Sequence, residues 1–348
     1  MIRPFSFLGI VLGLLASPHP LHAEPLRLST QAFGVTAEVE VRDLPRAEAE
    51  AAIHAALAEI YTISRLVDPA GGDLPGSVAQ LNATVEIFSV DPRISGLLLG
   101  SLGYCLWSNG AHGPLAGSVY GLWKGIGADK MPHPIDLREA LETADCNRLT
   151  VRGTPSPAAS GAAQGSREGQ ALEFQIQEGS QVLVLGSAPG FAADQAIEVL
   201  RGHGATNALV EIGNVVHGIG PGPDGAGWLL SLPSPKGESE PLDEVWLRDM
   251  SAAVVVDRPI YGAVPLLDQR TGVPARGVVL VAAVSENAFD AQTLATTLFV
   301  TGMRDGLRRL GALDPRPSVY WLLGDGESEQ PLSSTYRWSD LPRLKRSR

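Results

Sequence analysis

The polar and apolar positions of the chain alternate between two periods. From Ala47 the stretch "AEAEAAIHAALAEIYTISRLVD" places Ile53, Leu57, Ile60, Ser64 and Val67 at helical spacing, with Pro45 just ahead of it, which predicts a helix over 47–67. Before it, "GVTAEVEV" alternates through Val35, Ala37, Val39 and Val41 as a strand does. Ile94 to Trp107 reads as a more buried helix. "NGAHGPLAGSVYGLWKGIG" reads as a glycine-punctuated loop entering a short helix.

"NRLTVRG" and "LEFQIQEGSQVLVL" alternate as a pair of antiparallel strands. Phe191 to Leu200 is helical in period. "NALVEIG", "GWLLSLP", "AAVVVD", "PLLD" and "VVLVAAV" read as strands, and "DAQTLATTLFVTGMRDGLRRLG" as a long C-terminal helix over Asp290–Leu310. "SVYWLLGDGE" closes the pattern as a strand and turn. Hairpins mix with helices, so the expected class is α+β, with antiparallel sheets packed on helices in two intimate subdomains. The stretches near 154–170 and 233–241 are poor in apolar residues and are expected to be mobile loops.

The N-terminus changes the picture of where the chain works. Arg3 precedes the apolar run Phe5 to Ala16, too short to span a bilayer, and "SPHPLHA" ends at Ala23. This is the layout of a cleavable signal over residues 1–23. The expected mature chain, 24–348, is periplasmic or secreted and does not span the membrane. A net charge of -11 over 348 residues, with no basic stripe beyond "RLKRSR", argues against nucleic-acid binding. Export permits a disulfide between Cys105 and Cys146, yet Cys105 in "LLLGSLGYCLW" equally suits a packed core thiol.

Four segments carry a resemblance. "PGFAADQAIEVLRGHGATNALVEIG" from Pro189 resembles K-G-Y-A-V-D…L-R…G-V-T-N-A-L-V-N-I-G. "LLDQRTGVPARGVVLVA" from Leu266 resembles I-I-D-P-R-T-G…V-T-V-V-A, and "AQTLATTLFVTG" from Ala291 resembles A-D-A-L-A-T-A-L-F-V-L-G. "GAHGPLAGSVYGLW" from Gly110 is a weaker match to G-A-F-D-P-T-V-G…L-W. Their order and spacing resemble the ApbE family of FAD:protein FMN transferases, over about 28–324. The resemblance implies the ApbE-type fold, FAD and Mg²⁺ as cofactors, and transfer of FMN to a Thr or Ser hydroxyl of a periplasmic or membrane flavoprotein.

It also implies a site, residue by residue. The metal positions are the Ala188 carbonyl, Gln292 and Thr296; the flavin positions are Ala111, His112, Gly113 and Pro189. Gln292 and Thr296 are four apart on one helix face, but the family's Asp is the neutral Gln292. Asp290 lies roughly 120° round the helix from Thr296 at about 100° per residue. The family's Lys is Pro189, its preceding Asp is Leu183, and its His is Pro265. G-G-D is Gly213, Asn214 and Val215; T-S-G is Val254, Val255 and Val256; A-F-D is Ala111, His112 and Gly113. Asp194, Asn207, Gly213, Asp268, Arg270, Thr271, Gly272 and Thr296 keep the family identity.

Two functions follow as expectations. The favoured one is a catalytically degenerate binding or assembly module for a flavoprotein system or a metalloenzyme maturation pathway. The alternative is a working FMN transferase in which Gln292, Asp290 or His112 take over. His133 and His217 read as surface or core histidines. Trp107 and Trp123 read as core residues before they read as stacking platforms. "SGAA" at Ser160 to Ala163 lacks the hydroxyl that would make it a self-acceptor.

Overall fold

The computed structural model describes residues 24–71, 74–124, 126, 130–153, 172–184, 186–234, 240–257, 264–324 and 332–343. The expected signal (1–23), the loop near 154–170 with its Ser160–Ala163 segment, and most of the loop near 233–241 lie outside them. The helices are α1 (Arg46–Val67), α2 (Val78–Asn82), α3 (Pro92–Trp107), α4 (Gly117–Trp123), α5 (Pro134–Thr143), α6 (Ala188–Gly202) and α7 (Ala288–Leu310). The strands run β1 (Leu26–Ala32), β2 (Val35–Val41), β3 (Phe88–Ser89), β4 (Leu149–Arg152), β5 (Glu173–Ile176), β6 (Ala208–Ile212), β7 (Val215–Ile219) and β8 (Trp228–Leu232). They continue as β9 (Asp243–Leu247), β10 (Met250–Val256), β11 (Leu267–Asp268), β12 (Val273–Pro274), β13 (Val278–Ser285), β14 (Ser318–Leu323) and β15 (Leu332–Tyr336).

The architecture is α+β, as the pattern predicts. A sheet in the order β1-β2-β6-β7-β10-β13-β14-β15 carries the molecule, antiparallel at every pairing. Alternate residues of β10 and β13 enter different cores. Ala253, Val255, Val281 and Ala283 join the core under α1, α6 and α7. Ala252, Leu280, Ala282 and Val284 join a second core with the β8–β9 hairpin and Trp338. β13 is therefore buried at every position. A third cluster seats α4 and α5 around Val119, Trp123 and Leu267.

α1 follows its predicted span and buries Ile53, Ile60 and Ile63 with the small Ala49, Ala52 and Ala56. α6 begins at Ala188, earlier than the apolar period suggests, because Pro189 is tolerated in a first helical turn. α7 begins at Ala288 behind Asn287, whose side chain accepts from the Asp290 N–H, and it breaks at Gly302, where φ is 72°. The strand expected through 172–185 ends at Ile176. Beyond it the side chain of Asn82 takes the Val182 N–H at 2.7 Å and donates to the Val182 carbonyl at 3.0 Å. The Leu183 N–H goes to the Pro114 carbonyl at 2.7 Å. With those groups engaged, the segment has no ladder to extend. Among the described residues no helix is long and apolar enough to cross a membrane.

Cys105 and Cys146 are joined, across a separation of 41 residues, tying the end of α3 to the turn before β4. Closing a loop of that length removes unfolded-state entropy worth about 4 kcal/mol. Reduction, or the paired change Cys105→Ala with Cys146→Ala, is expected to lower unfolding free energy in urea by that order. An unchanged midpoint under reductant would show that the bridge contributes nothing to stability.

Candidate functional site

Helices α6 and α7 meet at their N-termini, and each caps the other. The amides that open a helix have no partner within it. On α7, the Ala288 and Phe289 N–H groups donate to the two carboxylate oxygens of Asp194, at 2.7 and 2.9 Å. The Asp290 N–H donates to Asn287 Oδ1 at 2.8 Å. On α6, Pro189 has no N–H, and the Gly190 N–H donates to Gln292 Oε1 at 2.7 Å. A Cβ on Gly190 would lie 2.3 Å from the Ala288 carbonyl oxygen, so only glycine lets the two helix starts approach this closely.

Asp194 is held from a third side by His217 of β7, whose Nδ1 lies 2.7 Å from Asp194 Oδ1. Both side chains are buried. His217 is therefore a core residue, one of the two readings its sequence leaves open, and its pairing with Asp194 is invisible until β7 is placed in register beneath α6.

The metal-equivalent positions come together around one turn. Thr296 Oγ1 faces the Gln292 carbonyl at 2.9 Å and the Gly186 carbonyl at 3.4 Å. Gln292 reaches Gly190 on the other side of Ala188. Gln292 and Thr296 thus bracket residues 186–190, and all three predicted positions are buried.

As a ligand set for Mg²⁺ they do not fit. A hard divalent cation is held by several oxygens whose negative charge tunes the affinity, and this turn offers only neutral oxygens, one of which, the Gln292 amide oxygen, already accepts from a helix amide. The acidic groups nearby are engaged elsewhere. Asp194 carries the start of α7. Asp290 accepts from Tyr104 Oη at 2.8 Å and from Asn287 Nδ2 at 2.7 Å, and burial raises its carboxyl above the usual range. Among the described residues no three His, Cys, Asp or Glu side chains gather as a metal cluster.

The second group of predicted residues lies on the loop after α3. The Ala111 carbonyl accepts from the Gln269 N–H at 3.2 Å, and the Gly113 carbonyl from Gln269 Nε2 at 3.2 Å. Gly113, the position the resemblance matches to the family's Asp, has no room for a side chain beside the disulfide: a Cβ there would lie 2.3 Å from Cys105 Sγ. Between them His112 is half-buried, its main chain latched to Ser108. Burial pushes its imidazole down to about 4, so the ring is neutral at physiological pH. Among the described residues no hydrogen bond joins this loop to Pro189, which packs in the first turn of α6. Trp123 is core, donating to the Gly272 carbonyl at 2.9 Å, and Trp107 meets Tyr104 edge to face.

The residues that keep the family identity have visible structural duties. Asn207 exchanges hydrogen bonds with Gly222. Gly213 turns β6 into β7 at φ 59°. Asp268 caps its own turn through the Arg270 N–H and holds the Arg270 guanidinium at 2.6 Å, while Gly272 closes that turn at φ 69°.

A family model described as the ApbE family matches residues 33–320. Among curated proteins, the FAD:protein FMN transferase of Treponema pallidum (strain Nichols) is 29% identical over 276 residues, 72% of this chain and 73% of its own length. The FAD:protein FMN transferase of Rhodobacter capsulatus is 28% identical over 343 residues; 91% of this chain is matched but only 59% of that relative's length. The crystal structure of the ApbE protein of Thermotoga maritima superposes with a TM-score of 0.73 at 22% identity, over 91% of this chain and 98% of its own. The flavinyl transferase ApbE of Pseudomonas stutzeri gives 0.74 at 19% identity, over 92% and 97%. At such identities the structural likeness is one of fold.

If the two caps hold the helix starts together, removing them is costly. Gln292→Met leaves the buried Gly190 N–H without an acceptor and is expected to cost about 1–3 kcal/mol. Asp194→Ala strips two amides and His217 of their partner and is expected to cost roughly 3–5 kcal/mol. Equilibrium unfolding that shows no loss for Gln292→Met would mean that the amide does not act as a cap.

Proposed function

The chain belongs to the ApbE family, and from that premise we propose that it is an exported member that binds flavin but no longer carries out Mg²⁺-dependent FMN transfer. It acts as a binding or assembly module in a flavoprotein system or a metalloenzyme maturation pathway. One observation carries this: Gln292 Oε1, at the position of the family's metal-binding Asp, accepts the Gly190 N–H at 2.7 Å. A charged ligand has become a neutral structural cap. The surrounding replacements agree, since Pro189 and Val215 are buried and Leu183 packs beside the α4–α5 core. Apolar side chains there neither solvate nor neutralise a pyrophosphate. The retained family residues serve turns, caps and latches, which is what selection for the scaffold alone preserves.

Export is supported by the N-terminal pattern and by the Cys105–Cys146 bridge, since disulfides persist in oxidising compartments. The names of the curated relatives favour the other reading, a working transferase with substitute groups. Its best candidate base is His112, neutral at physiological pH, though an imidazole lowered to about 4 is a weak base for activating a hydroxyl.

The mature protein, incubated with FAD, Mg²⁺ and a Thr-bearing acceptor peptide, is expected to bind FAD and leave the peptide unmodified by mass spectrometry. Gln292→Asp is expected to tighten Mg²⁺ binding by on the order of 1–3 kcal/mol without restoring transfer, because Pro189 and Pro265 remain. Robust Mg²⁺-dependent flavinylation by the wild type would overturn the proposal and establish the working enzyme.

A further inference from the structure

Beyond β15 the chain crosses to the β8–β9 hairpin as a strap, Arg337–Arg343. Of its residues only Trp338 and Leu341 are buried. Both belong to the second core, and Trp338 meets Tyr320 of β14 edge to face, with ring centroids 5.7 Å apart. The strap also takes up a strand edge. Among the described residues β9 pairs with β8 alone, and on its other side the Trp246 N–H donates to the Pro342 carbonyl at 2.9 Å. An unpaired strand edge is a template for another chain, and covering it is one remedy.

One carboxylate fastens the strap. Asp243, the first residue of β9, accepts from Trp338 Nε1 at 2.9 Å and lies 2.9 Å from Arg343 Nη1. Arg343 Nη2 in turn donates to the Trp338 carbonyl at 3.4 Å. The two ends of the strap therefore converge on the same side chain.

Elsewhere the strap is lightly held. Ser318 Oγ donates to the Arg337 carbonyl at 3.0 Å. The Asp340 and Leu341 N–H groups stay within the strap, bonded to the Arg337 and Trp338 carbonyls. Its entry is strained, because Arg337 sits at φ 52°, a left-handed conformation that costs energy for any residue with a side chain. Few buried side chains and a strained hinge are the marks of a segment that opens before the core does.

We propose that Arg337–Arg343 is a detachable strap with Asp243 as its clasp. It opens as a unit while the helices and the main sheet stay folded, and in opening it bares the free edge of β9 and the apolar side chains beneath Trp338. Closed, it keeps that edge from pairing with another chain. The proposal requires neither flavin nor metal, so it stands or falls apart from the functional reading above.

Hydrogen exchange followed by NMR on the full mature protein tests it, since the strap locks both the Trp246 amide and the Trp338 indole N–H. These two protons are expected to exchange together, faster than the β13 amides, and with little response to urea below the unfolding transition, because opening a strap exposes little surface. Asp243→Ala is expected to speed both about tenfold, the worth of one charge-assisted hydrogen bond. Ile53→Val, which thins the core under α1, is expected to speed the β13 amides and leave the strap protons unchanged. Strap protons that differ from each other, or that follow the β13 amides in urea or in Ile53→Val, would overturn the proposal by showing that no separate unit opens. Unchanged strap protons in Asp243→Ala would overturn it by removing the clasp.

Discussion

The reciprocal capping of α6 and α7 is the constraint on which the rest of the site depends. Two helix N-termini, each with partial positive charge and orphan amides, are brought close enough that a Cβ on Gly190 would strike the Ala288 carbonyl. Such a junction is stable only if acceptors from each helix satisfy the other. Asp194 serves α7 with a full charge, shared with His217. Gln292 serves α6 with a neutral oxygen. A charge on one side and an amide on the other leave Asp194 at the heart of the junction with its own partners, while the neighbouring Asp290 is engaged by Tyr104 and Asn287.

Gly113 shows the same coupling between scaffold and chemistry. The Cys105–Cys146 bridge occupies the space that an Asp side chain at 113 would need. The absence of room for a side chain at 113 and the presence of the disulfide are therefore one structural fact. Gln269 then takes over the loop, holding it by Ala111 and Gly113.

Much of this was legible in the sequence, for physical reasons. α1 buries one strong face, so its period is unambiguous; α7 is buried all round from Ala291 to Val300, and its length without a proline marks it as a helix, while the neutral residue at 292 stands out against the family pattern. Other features depend on partners distant in sequence. α5 buries only Ala140 and so has almost no apolar period. β1 lies at the sheet edge with alternate positions half-exposed. β5 stops early because Asn82 supplies its neighbours with side-chain hydrogen bonds. The cysteines read equally as a bridge or as core until α3 and the turn before β4 are set side by side. Nothing in "VVHGIG" points to Asp194, and nothing in "LLDQRTG" reveals that Gln269 holds the 111–113 loop.

The most direct measurement is the amide exchange and chemical shift of Gly190 by NMR, with and without Mg²⁺ and FAD. If the Gln292 oxygen is a helix cap, the Gly190 N–H stays protected and its signal does not move as Mg²⁺ is added. If the signal shifts and protection falls on titration with Mg²⁺, the oxygen has turned from helix to metal, and the account of a site given over to structure is contradicted.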